Sequence, residues 1–181
     1  MKQTSENYIQ PYFTQTNFMK KALFIVLLFA CSFCFAQSRP DYEKIKLETK
    51  EDVRAADTFA LVAANYLLST PYDKNSLHRL EALQFIIKWM EATPDYSFTL
   101  EAVASKIMKG NDDLLGLYMA AMTKYCLENK AGSKDEKLVR LNAITLLLTY
   151  CENENNNMKM TKHLKKLSEA KANGKLEEEL Q

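Results

Sequence analysis

From Val53 onward the apolar positions recur every three or four residues, the spacing that places side chains on one face of an α-helix. Thr49-Lys-Glu-Asp52 reads as a capping box, since the Thr hydroxyl and the Asp carboxylate can each take a free N–H of a first turn. Val53, Ala56, Ala60, Ala63 and Leu67 follow on one face, and Pro71 stops this first helix. A second helix is expected to start near Asp73 or Asn75. It carries Leu77, Leu80, Leu83, Ile86, Ile87 and Met90 inward, with Trp89 at the edge of the stripe, and ends before Pro94. Leu100, Val103, Ala104, Ile107 and Met108 make a short third helix closed by Gly110, a residue suited to a left-handed terminus.

Asn111 and Asp112 are the expected caps of a fourth helix, with Leu114, Leu115, Tyr118, Met119, Met122, Tyr125 and Cys126 apolar. Its small residues Gly116, Ala120 and Ala121 allow a close helix neighbour. Gly132 ends it or lies in the loop beyond. Ser133-Lys-Asp-Glu136 then reads as a second capping box, opening a fifth helix with Leu138, Leu141, Ile144, Leu147 and Leu148 and running to about Cys151. After the polar connector Glu152–Asn157, Met160, Leu164 and Leu167 mark a sixth helix rich in lysine. Residues 37–48 read as an exposed lead-in and 174–181 as a polar tail, leaving 49–173 as one helical domain. The fold expected is all-α: about six helices as stacked antiparallel hairpins, in a helical bundle or a short tetratricopeptide-like array.

Composition supports that class. The 181 residues hold only 4 Gly and 4 Pro, well under the roughly 12% that is usual for the two together. Tight turns are therefore few, which disfavours sandwiches, barrels and most α/β folds. The four glycines are too scattered for any Gly-rich phosphate loop. A net charge of +1 from 24 basic and 23 acidic side chains gives no global attraction to nucleic acid, and none is expected as a partner.

Residues 1–36 follow another pattern. Lys20 and Lys21 precede an uncharged run from Ala22 to Ala36. A spanning helix needs about 20 apolar residues, whereas a signal-peptide core needs about 7–15. Small residues stand at the −3 and −1 positions of Cys34-Phe35-Ala36, so cleavage is expected between Ala36 and Gln37. The polar prefix 1–18 suits no part of such a leader, and translation is expected to start at Met19, making 19–36 the signal peptide. Leu28-Phe29-Ala30-Cys31 resembles a bacterial lipobox, which would acylate Cys31; that would be the chain's route to a membrane.

The Phe-Ala-Gln end of the leader looks like that of exported proteins of Bacteroidota, and residues 37–181 resemble the small exported α-helical proteins of those bacteria. The resemblance implies a periplasmic or secreted location and carries no activity with it. Leu115-Gly116…Tyr118 and Ala143-Ile144…Tyr150 distantly resemble one tetratricopeptide hairpin, although 112–151 is longer than the roughly 34 residues of that repeat.

Chemistry is sparse. The two histidines are His78 and His163. His78-Arg-Leu-Glu81 places a His and a carboxylate on one helix face, most simply as a surface ion pair; no Glu-x-x-His or His-Glu-x-x-His occurs, so neither a di-iron nor a zinc centre is expected. There is no Gly-x-Ser-x-Gly elbow. Cys126 and Cys151 fall about 20 Å apart if the fourth and fifth helices are antiparallel, beyond the reach of a disulfide, and are expected as buried free thiols. Glu152–Asn157 offers oxygen ligands without the pattern of a calcium loop. Tyr96, Phe98 and Trp89 are candidates for a partner groove, and Lys159, Lys162, Lys165 and Lys166 for contact with an anionic surface.

These absences favour a non-catalytic module that binds an envelope protein or peptide, with no cofactor, no metal and no catalytic residue. One alternative is an envelope enzyme acting on polysaccharide through a carboxylate pair drawn from Glu101, Asp112 or Asp113, for which two carboxylates in a deep cleft would speak. The other is a lipid-anchored structural protein.

Overall fold

A computed structural model of the chain describes residues 40–99, 105–107 and 109–180. The cleavage site Ala36–Gln37, Cys31, and Leu100, Glu101, Val103, Ala104 and Met108 lie outside the described residues. The order of helices is α1 (Lys50–Ala55), α2 (Asp57–Ser69), α3 (Leu77–Ala92), α4 (Leu114–Glu128), α5 (Glu136–Glu152), α6 (Lys162–Ala172) and the single turn α7 (Leu176–Glu179). Short 3-10 turns stand at Tyr42–Lys44 and Glu154–Asn156, and residues 105–107 are helical. The described residues contain no strand, and the fold is an all-α bundle.

α1 starts where the capping box places it. Asp52 N–H donates to Thr49 Oγ1 and Thr49 N–H to Asp52 Oδ2, both at 3.1 Å. Ala56 then carries the chain into α2 with its N–H bonded back to Asp52 and Val53. The second box does not form. Asp135 is the cap of α5, accepting from Lys137 N–H and Leu138 N–H. Ser133 is spent one step earlier, its hydroxyl donating to Lys130 O to close the turn.

α4 is the centre. Every residue from 117 to 123 is buried, two turns with no solvent side, so the helix needs neighbours all round. It packs against α2, α3 and α5. The buried face of α2 is Ala60, Ala63, Ala64 and Leu67, and its three alanines let neighbouring backbones approach. Gly116 does the same toward α3, where an added Cβ would stand 2.8 Å from Leu83 Cδ2.

α2 and α3 form an antiparallel hairpin pinned at both ends. At one end Trp89 Nε1 donates to Asp57 Oδ1 (3.1 Å). At the other, Arg79 donates to Leu67 O, Thr70 O and Thr70 Oγ1 at 3.1, 3.1 and 2.7 Å. Leu67 O and Thr70 O are carbonyls that a helix end leaves unsatisfied, so the guanidinium caps α2 from the neighbouring helix. Tyr150 O–H adds a bond to Thr70 O (2.8 Å) from α5.

The buried face of α3 is rotated from the sequence expectation. Arg79, Ala82, Phe85, Ile86 and Trp89 point inward, whereas Leu77 and Leu80 are 67% and 51% exposed. Trp89 is at the centre of the face rather than its edge and is fully enclosed. The lead-in and the tail also differ from expectation. Tyr42 is buried and stacks on Phe85 (centroids 4.8 Å), and Leu176 and Leu180 are buried at the other terminus. Apolar side chains near both ends of the described chain thus close the bundle rather than fray. The connector after α5 is structural: Asn156 Nδ2 donates to Tyr150 O (2.9 Å), Asn156 O accepts from Tyr72 N–H (2.8 Å), and Asn157 takes the left-handed φ of 55°.

Candidate functional site

Two concavities carry more than packing. The first opens at the corner between α2 and α3. Proline at 71 forces the chain out of α2, and Ser76 restarts it as α3 by accepting from Arg79 N–H. The corner is held over the first turn of α4, where Gly116 leaves out a side chain. The result is a cleft of about 240 Å³ between Leu67, Leu83, Gly116 and Leu117, with Tyr72, Asp73 and Lys74 on its polar edge. Leu80 forms its exposed lip, and Leu77, one turn before, extends the apolar surface.

The polar groups of this cleft are committed. The Arg79 guanidinium caps α2 and lies 5.5 Å from the centre of the Tyr72 ring. Burial, with a hydrogen bond to Asp113, pushes the Tyr72 hydroxyl up to about 12. Asp73 Oδ1 accepts from Asn75 N–H (2.9 Å) in the turn. Asp73 and Asp113 thus border one shallow cleft, but both are exposed and each has a structural partner. Asp112 lies exposed outside this lining.

The second concavity is a groove of about 520 Å³ lined by Lys106, Lys109, Lys162, His163 and Lys166. Lys106 and Lys109 flank Ile107, whose complete burial fixes that turn, and Gly110 beyond it takes a φ of 95°. Lys162 and His163 open α6, which Thr161 caps by accepting from Leu164 N–H (3.2 Å). Asn111 Nδ2 donates to Lys159 O (3.1 Å), tying the two walls together. His163 is held below its ordinary value, first by burial and then by Lys106 and Lys166.

The lysine candidates therefore divide. Lys162 and Lys166 face this groove; Lys159 and Lys165 are exposed outside its lining. The sequence reading missed Lys106 and Lys109, whose i, i+3 spacing was a signal but whose partners lie far along the chain.

The aromatic candidates do not make a groove. Tyr96 and Phe98 are half-buried against Trp89 at ring distances of 5.7 and 6.0 Å. The crevice beside Phe98 has about 20 Å³, room for little more than one water molecule. Trp89 touches no solvent at all. The three rings cover one another's apolar area.

His78 is partly exposed and stands against Glu81 on one helix face, the pairing expected from the sequence. Its side chain is 12% exposed, under Tyr66 (centroids 4.2 Å), with Nδ1 3.7 Å from Glu81 Oε2. Cys126 and Cys151 are buried free thiols, pushed up by burial to about 11 and about 12, which leaves almost no thiolate near neutrality. Among the described residues no group of three or more His, Cys, Asp or Glu is placed to hold a metal ion, and no helix is long and apolar enough to cross a membrane.

No family model matches the chain, and no curated protein and no solved structure is significantly similar to it.

Proposed function

We propose that the chain is an exported, non-catalytic binding module of the bacterial envelope that holds a protein or peptide partner at the α2–α3 corner. The observation that carries this reading is the pair of leucines on α3, 67% and 51% exposed, beside a cleft with an apolar floor. Large exposed apolar side chains grouped at a concavity are the usual signature of an interaction site. The floor would take one apolar side chain of the partner, while Lys74 at the rim sets its orientation. The order of packing, α2 on α3 and α4 and then α4 on α5, supports a hairpin array of the tetratricopeptide kind as the scaffold. Export rests on the leader: a basic pair, a short apolar run and small residues before Gln37.

Crosslinking in intact cells followed by mass spectrometry tests both parts. The expected result is one dominant adduct that Leu77→Asp/Leu80→Asp abolishes, on a chain whose first residue is Gln37. An adduct pattern indifferent to that double substitution overturns the binding site. A mature chain beginning with acylated Cys31 overturns the unanchored export route.

A further inference from the structure

The lysine groove lies apart from the leucine lip and calls for its own explanation. Like charges brought together in a fold repel one another unless something compensates them. Here four lysines from two distant stretches of chain line one concavity, and among the described residues Lys166 alone of the four has a carboxylate partner, Glu179 at 2.6 Å. The helix beneath adds to the imbalance. Helix N-termini carry partial positive charge and ordinarily attract Asp or Glu. The first turn of α6 has no acidic residue and instead places Lys162 and His163 there. The walls are not free to spread, because buried Ile107 anchors one and Asn111 bonds it to the chain at Lys159.

We propose that this groove binds a phosphate group carrying two or more negative charges, either on a free phosphorylated compound or on a lipid headgroup. Lysines serve as point charges for phosphate. A concavity of about 520 Å³ is within the range that small-molecule sites occupy. Several lysines lining one concavity favour a compact multivalent anion over isolated carboxylates, which one lysine each would satisfy. The groups facing His163 are Lys106, Lys166 and Glu179, so an anion that neutralises the lysines will make the ring easier to protonate.

Titrating the full chain at low ionic strength with inorganic pyrophosphate, and separately with vesicles containing phosphatidic acid, tests the assignment. NMR of the His163 ring serves as a local reporter. Saturable binding of pyrophosphate is expected, with the His163 midpoint moving to higher pH. Lys106→Gln/Lys162→Gln should weaken it about tenfold, the combined effect of two partly exposed charge contacts. Lys165→Gln, on the same helix but outside the groove, should bind like the native chain. Capture by the vesicles alone, lost in the same double variant, supports the site and makes a lipid headgroup its source. Binding to neither probe, or equal weakening by Lys165→Gln, overturns the proposal. Leu77→Asp/Leu80→Asp leaves this binding unchanged, so the two sites stand or fall separately.

Discussion

Trp89 is closed off on every side, and its indole N–H donates to a carboxylate that opens α2. Removing the ring leaves a cavity and an orphaned acceptor, so Trp89→Ala should cost about 3–5 kcal/mol in chemical denaturation. Asp57 is held above the usual carboxylate range, chiefly by burial, although the Trp89 hydrogen bond acts the other way. A folded-state value above the unfolded one means that stability is full below the unfolded value and is lost as pH rises through the folded one. Asp57→Asn keeps an acceptor for the indole and removes the charge. Its denaturation midpoint should be equal to or higher than that of the native chain at pH 7, with the gap closing in acid; a lower midpoint at pH 7 contradicts the account. Cys126 and Cys151 should react with a thiol reagent only after unfolding, and rapid labelling of the native chain contradicts their burial. Arg79 shows why single residues were hard to read in the sequence. A charged residue beside Leu77 and Leu80 looks like the solvent side of a helix, yet the unsatisfied carbonyls of α2 draw it inside.

At the scale of elements, helix ends were legible where one residue type has one job. Thr49 and Asp52 are an example, and Thr49→Ala should lower stability by about 1 kcal/mol, read in the same denaturation assay. Ser133-Lys-Asp135 held two rival caps, and the choice fell to the turn closed by Gly132 N–H on Asn129 O and Asp135 N–H on Gly132 O, which leaves Asp135 extended at the helix start. The inward face of α3 is offset from the leucine stripe that periodicity predicts. Arg79, Ala82, Ile86 and Trp89 have the same spacing as the leucine stripe, displaced by one residue, and the acceptors that α2 offers to Arg79 and Trp89 at its two ends favour their face. Gly116→Ala tests the contact of α4 with Leu83. A methyl there meets the flexible end of half-buried Leu83 at 2.8 and 3.1 Å, while a helix gains about 1 kcal/mol when Ala replaces Gly. Thermal stability should be unchanged or slightly higher, and partner capture weaker as Leu83 swings into the cleft.

For the whole molecule, the all-α class followed from periodicity and the scarcity of turn residues. The central place of α4 did not, since burial on every face is a property of neighbours that lie elsewhere in the chain. The same holds for both concavities: each joins residues that are remote in sequence, and neither has a motif. Among the described residues the most exposed large apolar side chains are Leu77 and Leu80, beside the α2–α3 cleft. A photoreactive amino acid placed at position 80, with position 138 as an exposed leucine on another helix, tests the proposed binding role of this lip most directly in intact cells. The account predicts a single strong adduct from position 80 and none from position 138. Equal labelling from both positions, or none from position 80, would contradict it.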